Sequence, residues 1–208
     1  MFWLEWAPSN TWGPIIKKFF MVIKMGEKIY GFIELYKDYH KTRTNAPVKY
    51  GEALALQLLG HTLGYKVVNL IQPGEVHHNT YLVLVGESTI THKTTSQSLA
   101  KKVYPSERIL PEETSPEKLV KVLSETPEGI QFLGEFTRLL KGITTKGYQS
   151  GFAELYNDLH ECPQTYRRTI MGRKSEQNTF QICECYLSLN STTTPEMLEK
   201  YINDELFL

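Results

Sequence analysis

An unbroken apolar pentad, Tyr81-Leu-Val-Leu-Val85, runs without any polar alternation into Gly86 and a stretch of small and polar residues that ends at Lys93. A strand that is apolar at every position is buried on both faces, the condition of a strand inside a parallel sheet covered by helices on either side. The residues after the loop, from Lys93 to Val103, have the apolar spacing of an amphipathic helix. Strand, loop and helix in this order demand a layered fold. The rest of the chain follows suit, with short apolar runs at 65–70, 79–85, 107–110, 130–133, 166–170 and 179–189 separated by helical patterns at 93–103, 115–124, 136–140, 148–160 and 194–206. Such alternation indicates an α/β class with a mostly parallel sheet.

Upstream, helical spacing at 28–44 and 49–63 sets residues 27–64 apart as a small helical module, with Gly64 as its stop. Residues 1–26 contain all three tryptophans and no sustained period, an irregular aromatic-rich arm. Residues 65–208 form the expected core. The 208-residue chain has 23 basic and 23 acidic side chains, which excludes bulk attraction to a polyanion, yet the neutrality is a cancellation. Residues 1–49 carry 8 basic and 4 acidic groups, and residues 175–208 carry 1 and 6.

No apolar run approaches the ~20 residues needed to span a bilayer, so no membrane role is expected. Cys162, Cys183 and Cys185 fit no zinc-ligand spacing, and an odd cysteine count without a leader points to a reducing cytoplasm. Cys183 and Cys185, two apart in a β-rich run, are expected to share one sheet face as buried inert thiols, with metal binding the minor alternative. His77 and His78 read as loop residues.

The segment Gly86, Glu87, Ser88, Thr89, Ile90, Thr91, His92, Lys93, Thr94, Thr95 has the order of a phosphate-binding loop. That chemistry needs backbone N–H groups around phosphate oxygens, a helix N-terminus aimed at them, a lysine for the β- and γ-phosphates, and a hydroxyl for Mg²⁺. Lys93 fills the lysine role and Thr94 or Thr95 the metal role. The spacing departs from the strict motif: six residues separate Gly86 from Lys93, and His92 stands where a glycine is usual. His is among the few non-glycine residues that tolerate positive φ. An ordinary βα turn is the alternative.

About forty residues on, the strand before Gly134 ends at Glu135, a general-base candidate for activating water, with Glu112 or Glu113 as a second. Asn190 and Thr192, read as lying just past the strand 179–189, are candidates for touching the γ-phosphate or the attacking water at the carboxyl edge of the sheet. Thr194-Pro195-Glu196 reads as a helix cap. Arg167, Arg168, Arg173 and Lys174 make a local basic run. It is open to three readings: contact with a nucleic-acid backbone, an arginine finger toward a neighbouring subunit, or a solvated hairpin edge.

Taken together, Gly86-Glu-Ser-Thr89, His92-Lys-Thr-Thr-Ser96, Leu110-Pro-Glu-Glu-Thr-Ser-Pro-Glu-Lys-Leu119, Gly134-Glu-Phe-Thr-Arg-Leu-Leu140, Leu155-Tyr-Asn-Asp158 and Leu187-Ser-Leu-Asn-Ser-Thr-Thr-Thr-Pro-Glu196 resemble the RecA-like P-loop ATPases of phage, plasmid and archaeal replication proteins. The resemblance covers roughly residues 35–205. In that family a variant loop with an extra residue and a basic residue before the lysine is known. The resemblance implies ATP and Mg²⁺ as ligands and a helicase or primase-associated motor acting on single-stranded DNA or a fork, working as a homo-oligomeric ring; a degenerate loop that holds nucleotide without turnover and a small-molecule phosphotransferase are the alternatives. Gly134 departs from the Asp expected there. The chain also stops soon after the presumed sensor strand, so the core is expected to be incomplete at its C-terminus.

Overall fold

In the computed structural model, residues 24–25, 28–29, 31–71, 74–144, 151–171 and 177–201 are described. Strands β1 (Lys24–Met25) and β2 (Lys28–Ile29) pair antiparallel ahead of helix α1 (Phe32–Lys41). The helix expected from Lys28 therefore starts four residues late, because Lys28 and Ile29 are used in strand pairing. Helix α2 (Val48–Leu63) ends where expected: Gly64 takes φ 75°, a conformation open to glycine, and its N–H reaches the His61 carbonyl at 3.2 Å.

The next segment differs from the reading. Val68–Ile71 (β3) pairs with Gly74–His77 (β4) as an antiparallel hairpin, so His77 is a strand residue, its ring 4.7 Å from that of Tyr65. Then follow β5 (Tyr81–Val85), α3 (Lys93–Val103), a 3₁₀ turn at Ser106–Arg108, β6 (Ile109–Leu110), α4 (Pro116–Glu125), β7 (Glu128–Phe132), α5 (Phe136–Thr144) and α6 (Phe152–His160). Helix α4 begins as its sequence directs, with the Ser115 hydroxyl accepting the Lys118 N–H at 3.1 Å and Pro116 in the first turn.

The long strand expected over 179–189 is two strands. Thr165–Met171 (β8) and Gln177–Cys183 (β9) form a hairpin, the chain turns at Glu184 with φ 54°, and Tyr186–Thr193 (β10) enters a different sheet. Cys183 is consequently exposed and Cys185 buried, and they share no sheet face. Burial raises the Cys162 and Cys185 thiols to about 12. Helix α7 (Pro195–Tyr201) closes the described chain, with the Thr194 hydroxyl capping the Met197 N–H.

The protein is an α/β fold built on a four-stranded sheet of order β5-β10-β7-β6, with every neighbouring pair parallel. Strand β10 is buried along its whole length. On one face Tyr36 of α1, Leu54, Ala55 and Leu58 of α2 and Ala100 of α3 pack with Leu84, Ile130 and Phe132 of the strands. The segment set apart as 27–64 thus covers one face of the sheet directly. On the other face Leu119, Val120 and Leu123 of α4 and Leu155 and Leu159 of α6 pack with Leu187, Leu189 and Ile182. Among the described residues no helix is long and apolar enough to cross a membrane.

Candidate functional site

Four parallel strands end at one edge of the sheet, which brings the loops after β5, β6, β7 and β10 together there. The loop after β5 is anchored at its base. The Gly86 N–H donates to the Thr193 carbonyl at 3.1 Å, and the Tyr50 hydroxyl of α2 donates to the Val85 carbonyl. A side chain on Gly86 would collide with that Tyr50 hydroxyl and with Thr91, so this glycine is a close-approach position. Sequence pattern alone did not mark Tyr50, since nothing in a helical repeat announces a contact 35 residues away.

Between Gly86 and Lys93 the backbone takes positive φ twice, at Thr89 (66°) and His92 (48°). His92 adopts the left-handed conformation that its place before the lysine suggested, with ψ 34°. Each such residue costs on the order of 1–3 kcal/mol and persists only where its surroundings hold it. Thr91 supplies part of that hold by donating its hydroxyl to the Glu87 carbonyl at 2.8 Å, closing the loop on itself. Glu87, Ser88, Thr89 and Ile90 are exposed on its outer side.

Lys93 is only 8% exposed. Among the described residues its ammonium makes one hydrogen bond, at 3.4 Å to the Glu87 carbonyl, and no carboxylate lies within ion-pair distance. A buried cation without an ion-pair partner in contact has room for a bound anion to take that place. The first bond inside α3 runs from the Ser96 N–H to the His92 carbonyl at 3.0 Å, so the amides of Lys93, Thr94 and Thr95 have no acceptor within the helix. Three amides without an acceptor in the helix, the positive end of a helix dipole and the side chain of Lys93 belong to one helix start, a combination suited to phosphate.

Thr94 and Thr95 are exposed in this first turn. Among the described residues no group of three or more His, Cys, Asp or Glu side chains could hold a metal ion. A threonine hydroxyl fits Mg²⁺ all the same, because that ion takes few protein ligands and completes its shell with water and substrate phosphates. Glu196, in the first turn of α7, is read in the sequence only as part of a helix cap. Its own backbone N–H, then the Thr194 hydroxyl and the Lys93 charge, hold its carboxyl below the usual range.

Glu135 follows β7 and is half-buried, with Oε1 accepting the Thr137 hydroxyl at 3.0 Å. It sits on the wall of a cavity of about 270 Å³ that Glu112, Glu113, Gln131, Leu133 and Tyr156 also line. Glu112 pairs with Lys101 at 3.2 Å and Glu113 with Arg138 at 3.3 Å, whereas Glu135 has no cation at ion-pair distance among the described residues. Of the three carboxylates on this wall, Glu135 is thus the one without an ion pair among the described residues. The loop that carries it is tied to its neighbours: Thr192 donates to the Gly134 carbonyl at 2.6 Å and Gln97 to the Leu133 carbonyl at 2.9 Å.

Asn190 is placed differently from its expected role. It lies inside β10 rather than beyond its strand, is fully buried, and has both polar atoms engaged. Its Nδ2 donates to Gln57 Oε1 at 2.7 Å and its Oδ1 accepts from Gln97 Nε2 at 3.0 Å. It joins α2, β10 and α3 as a core tie. Thr192 is likewise a strand residue, tied to the Gly134 carbonyl.

Of the basic run, Arg167 and Arg168 are described. Arg167 and Arg168 are successive residues of β8 and face opposite sides of the hairpin: Arg167 is exposed and donates to Gln181 at 2.9 Å, while Arg168 is half-buried. Arg173 and Lys174 lie outside the described residues. No protein-family model matches the chain, and no curated protein matches it.

Proposed function

We propose that the protein binds a nucleoside triphosphate, ATP by its resemblance to RecA-like P-loop ATPases, and hydrolyses it as the motor domain of a DNA replication helicase or primase-helicase. The observation that carries this reading is Lys93: a buried lysine whose ammonium makes one weak carbonyl contact among the described residues, at a helix start whose first three amides have no acceptor within the helix. The loop amides and Lys93 hold the phosphates and stabilise the charge that develops on the γ-phosphoryl group. Glu135 orients a water for in-line attack and takes its proton. Thr94 or Thr95 would hold Mg²⁺, whose chemistry is to neutralise phosphate charge. The placement of β10 between the loop-bearing strand and the strand before Glu135 supports the reading, since the resemblance expects a polar-ended strand beside the loop. Action on single-stranded DNA in a ring rests on the resemblance.

A nucleotide-binding module without turnover is the second reading, favoured by Gly134, which leaves Glu135 without an acidic neighbour at the strand end. Titration with ATP and Mg²⁺, with turnover measured with and without single-stranded DNA, separates the two. ATP binding lost in Lys93→Ala, with DNA-stimulated turnover lost in Glu135→Gln, supports the motor. Binding without turnover supports the module, and equal binding by wild type and Lys93→Ala ends both.

A further inference from the structure

Helix α1 contributes one buried polar side chain toward the loop, and its hydrogen bonds form a chain that ends on the strained residue. His40 is 1% exposed, and burial lowers its pKa. Its Nε2 lies 2.9 Å from Ser96 Oγ on α3, and Ser96 Oγ in turn lies 3.1 Å from the His92 carbonyl. A serine hydroxyl has a single proton. If Ser96 directs it to the His92 carbonyl, four residues back along the helix, His40 must bring the proton of the other bond, which makes it the Nε2–H tautomer. Packing fixes the ring as well: a side chain on Gly51 of α2 would come within 2.9 Å of His40 Cγ and Nδ1, so the glycine makes the slot in which the imidazole sits.

The end of this chain is the point where the loop becomes helix. The His92 carbonyl accepts both the Ser96 N–H at 3.0 Å and the Ser96 hydroxyl, and His92 is the left-handed residue whose dihedrals set where the amides of Lys93, Thr94 and Thr95 point. A non-glycine residue in this conformation needs such over-determination. We infer that His40 is a positioning residue for the phosphate loop: through Ser96 it holds His92 in the conformation that aims the helix amides and Lys93 at the bound triphosphate. The inference rests on the nucleotide-binding reading for its consequence, but its structural part can be tested without nucleotide.

The test compares wild type, His40→Ala, His40→Gln and Lys93→Ala by amide hydrogen exchange and by titration with a fluorescent ATP analogue and Mg²⁺. In His40→Ala the Ser96 amide should exchange about tenfold faster while Ala100, further along the same helix, is unchanged, and nucleotide affinity should fall about tenfold. His40→Gln presents an N–H at similar reach and should restore both to within about threefold. Unchanged Ser96 exchange in His40→Ala, acceleration spread equally over α3, or no restoration by glutamine overturns the inference. If wild type binds no nucleotide, the functional reading fails and the exchange data alone decide the His40 relay. Should His40→Ala not fold, Ser96→Ala keeps the ring in its slot and is read by the same criteria at the Lys93 to Gln97 amides.

Discussion

Replacing Asn190 by alanine tests whether this residue serves the core or the chemistry. The substitution removes the 2.7 Å bond to Gln57 Oε1 and the 3.0 Å bond from Gln97 Nε2, both fully buried. Gln97 keeps the Leu133 carbonyl as acceptor and Gln57 Nε2 keeps the Leu189 carbonyl, so the group left without its partner is Gln57 Oε1. One net hydrogen bond at about 0.5–1.5 kcal/mol plus one stranded buried acceptor at about 1–3 kcal/mol gives a loss of about 1.5–4.5 kcal/mol. For a domain of this size that lowers the melting temperature by about 3–18 °C. Urea unfolding and calorimetry measure the loss, and Gln57→Ala should be strongly non-additive with it, with a coupling of about 1 kcal/mol or more. Nucleotide affinity, measured well below the melting point, should stay within about threefold of wild type. An unchanged unfolding midpoint together with a tenfold or greater loss of turnover would refute the core assignment and return Asn190 to the γ-phosphate.

Other outcomes follow from the same geometry. Gly86→Ala should destabilise the protein by about 1–3 kcal/mol and weaken nucleotide binding, with partial recovery on adding Tyr50→Phe, as thermal melting and ATP titration would show. His92→Gly relieves a left-handed residue and should raise stability by about 1 kcal/mol, read from the denaturation midpoint. His61 is fully buried, with Nε2 lacking a partner among the described residues, and burial followed by the Arg108 charge lowers its pKa to about 3. The unfolded chain takes up this proton near pH 6.5 and the folded chain does not, so stability falls as pH drops from about 6.5 toward 3, by roughly 1.4 kcal/mol per unit at most. Acid titrations of wild type and His61→Phe should diverge over that interval. Thiol titration at pH 8 should label Cys183 at once and leave Cys162 and Cys185 unreacted until denaturant is added.

The parts of this fold that could be read in the sequence are those where a local signal and the tertiary structure agree. Helix α3 has the bounds its pattern gives, Gly64 ends α2 and Ser115 caps α4, because each depends on a few neighbouring residues. What failed depended on partners far away. Asn190-Ser-Thr-Thr193 looks like a loop because polar residues are usually exposed, yet it is a buried strand in which Asn190 is met by Gln57 and Gln97, and Ser191 and Thr192 by two backbone carbonyls, while Thr193 Oγ1 has no partner among the described residues. The break at Glu184 has no glycine or proline to mark it, so two strands read as one. Within the candidate site, the loop, Lys93 and Glu135 are proposed from order and residue type, and Glu196 is read only as part of a cap, whereas the contacts of Tyr50 and His40 leave no mark, since each lies in a helix whose own pattern is explained without them.

Strand β10 occupies the middle of the sheet although it is the last strand among the described residues. While the polypeptide emerges from the ribosome, β5 and β7 have no contact with each other that could substitute for it, and each presents an unpaired edge until residue 193 is available. Closure of the sheet therefore waits for pairings with strands begun about 60 to 105 residues earlier, a topology that folds slowly and leaves the nascent chain open to misassociation. The same ordering makes the loop around Lys93 a late product of folding, because the anchor for its Gly86 amide is the carbonyl of Thr193.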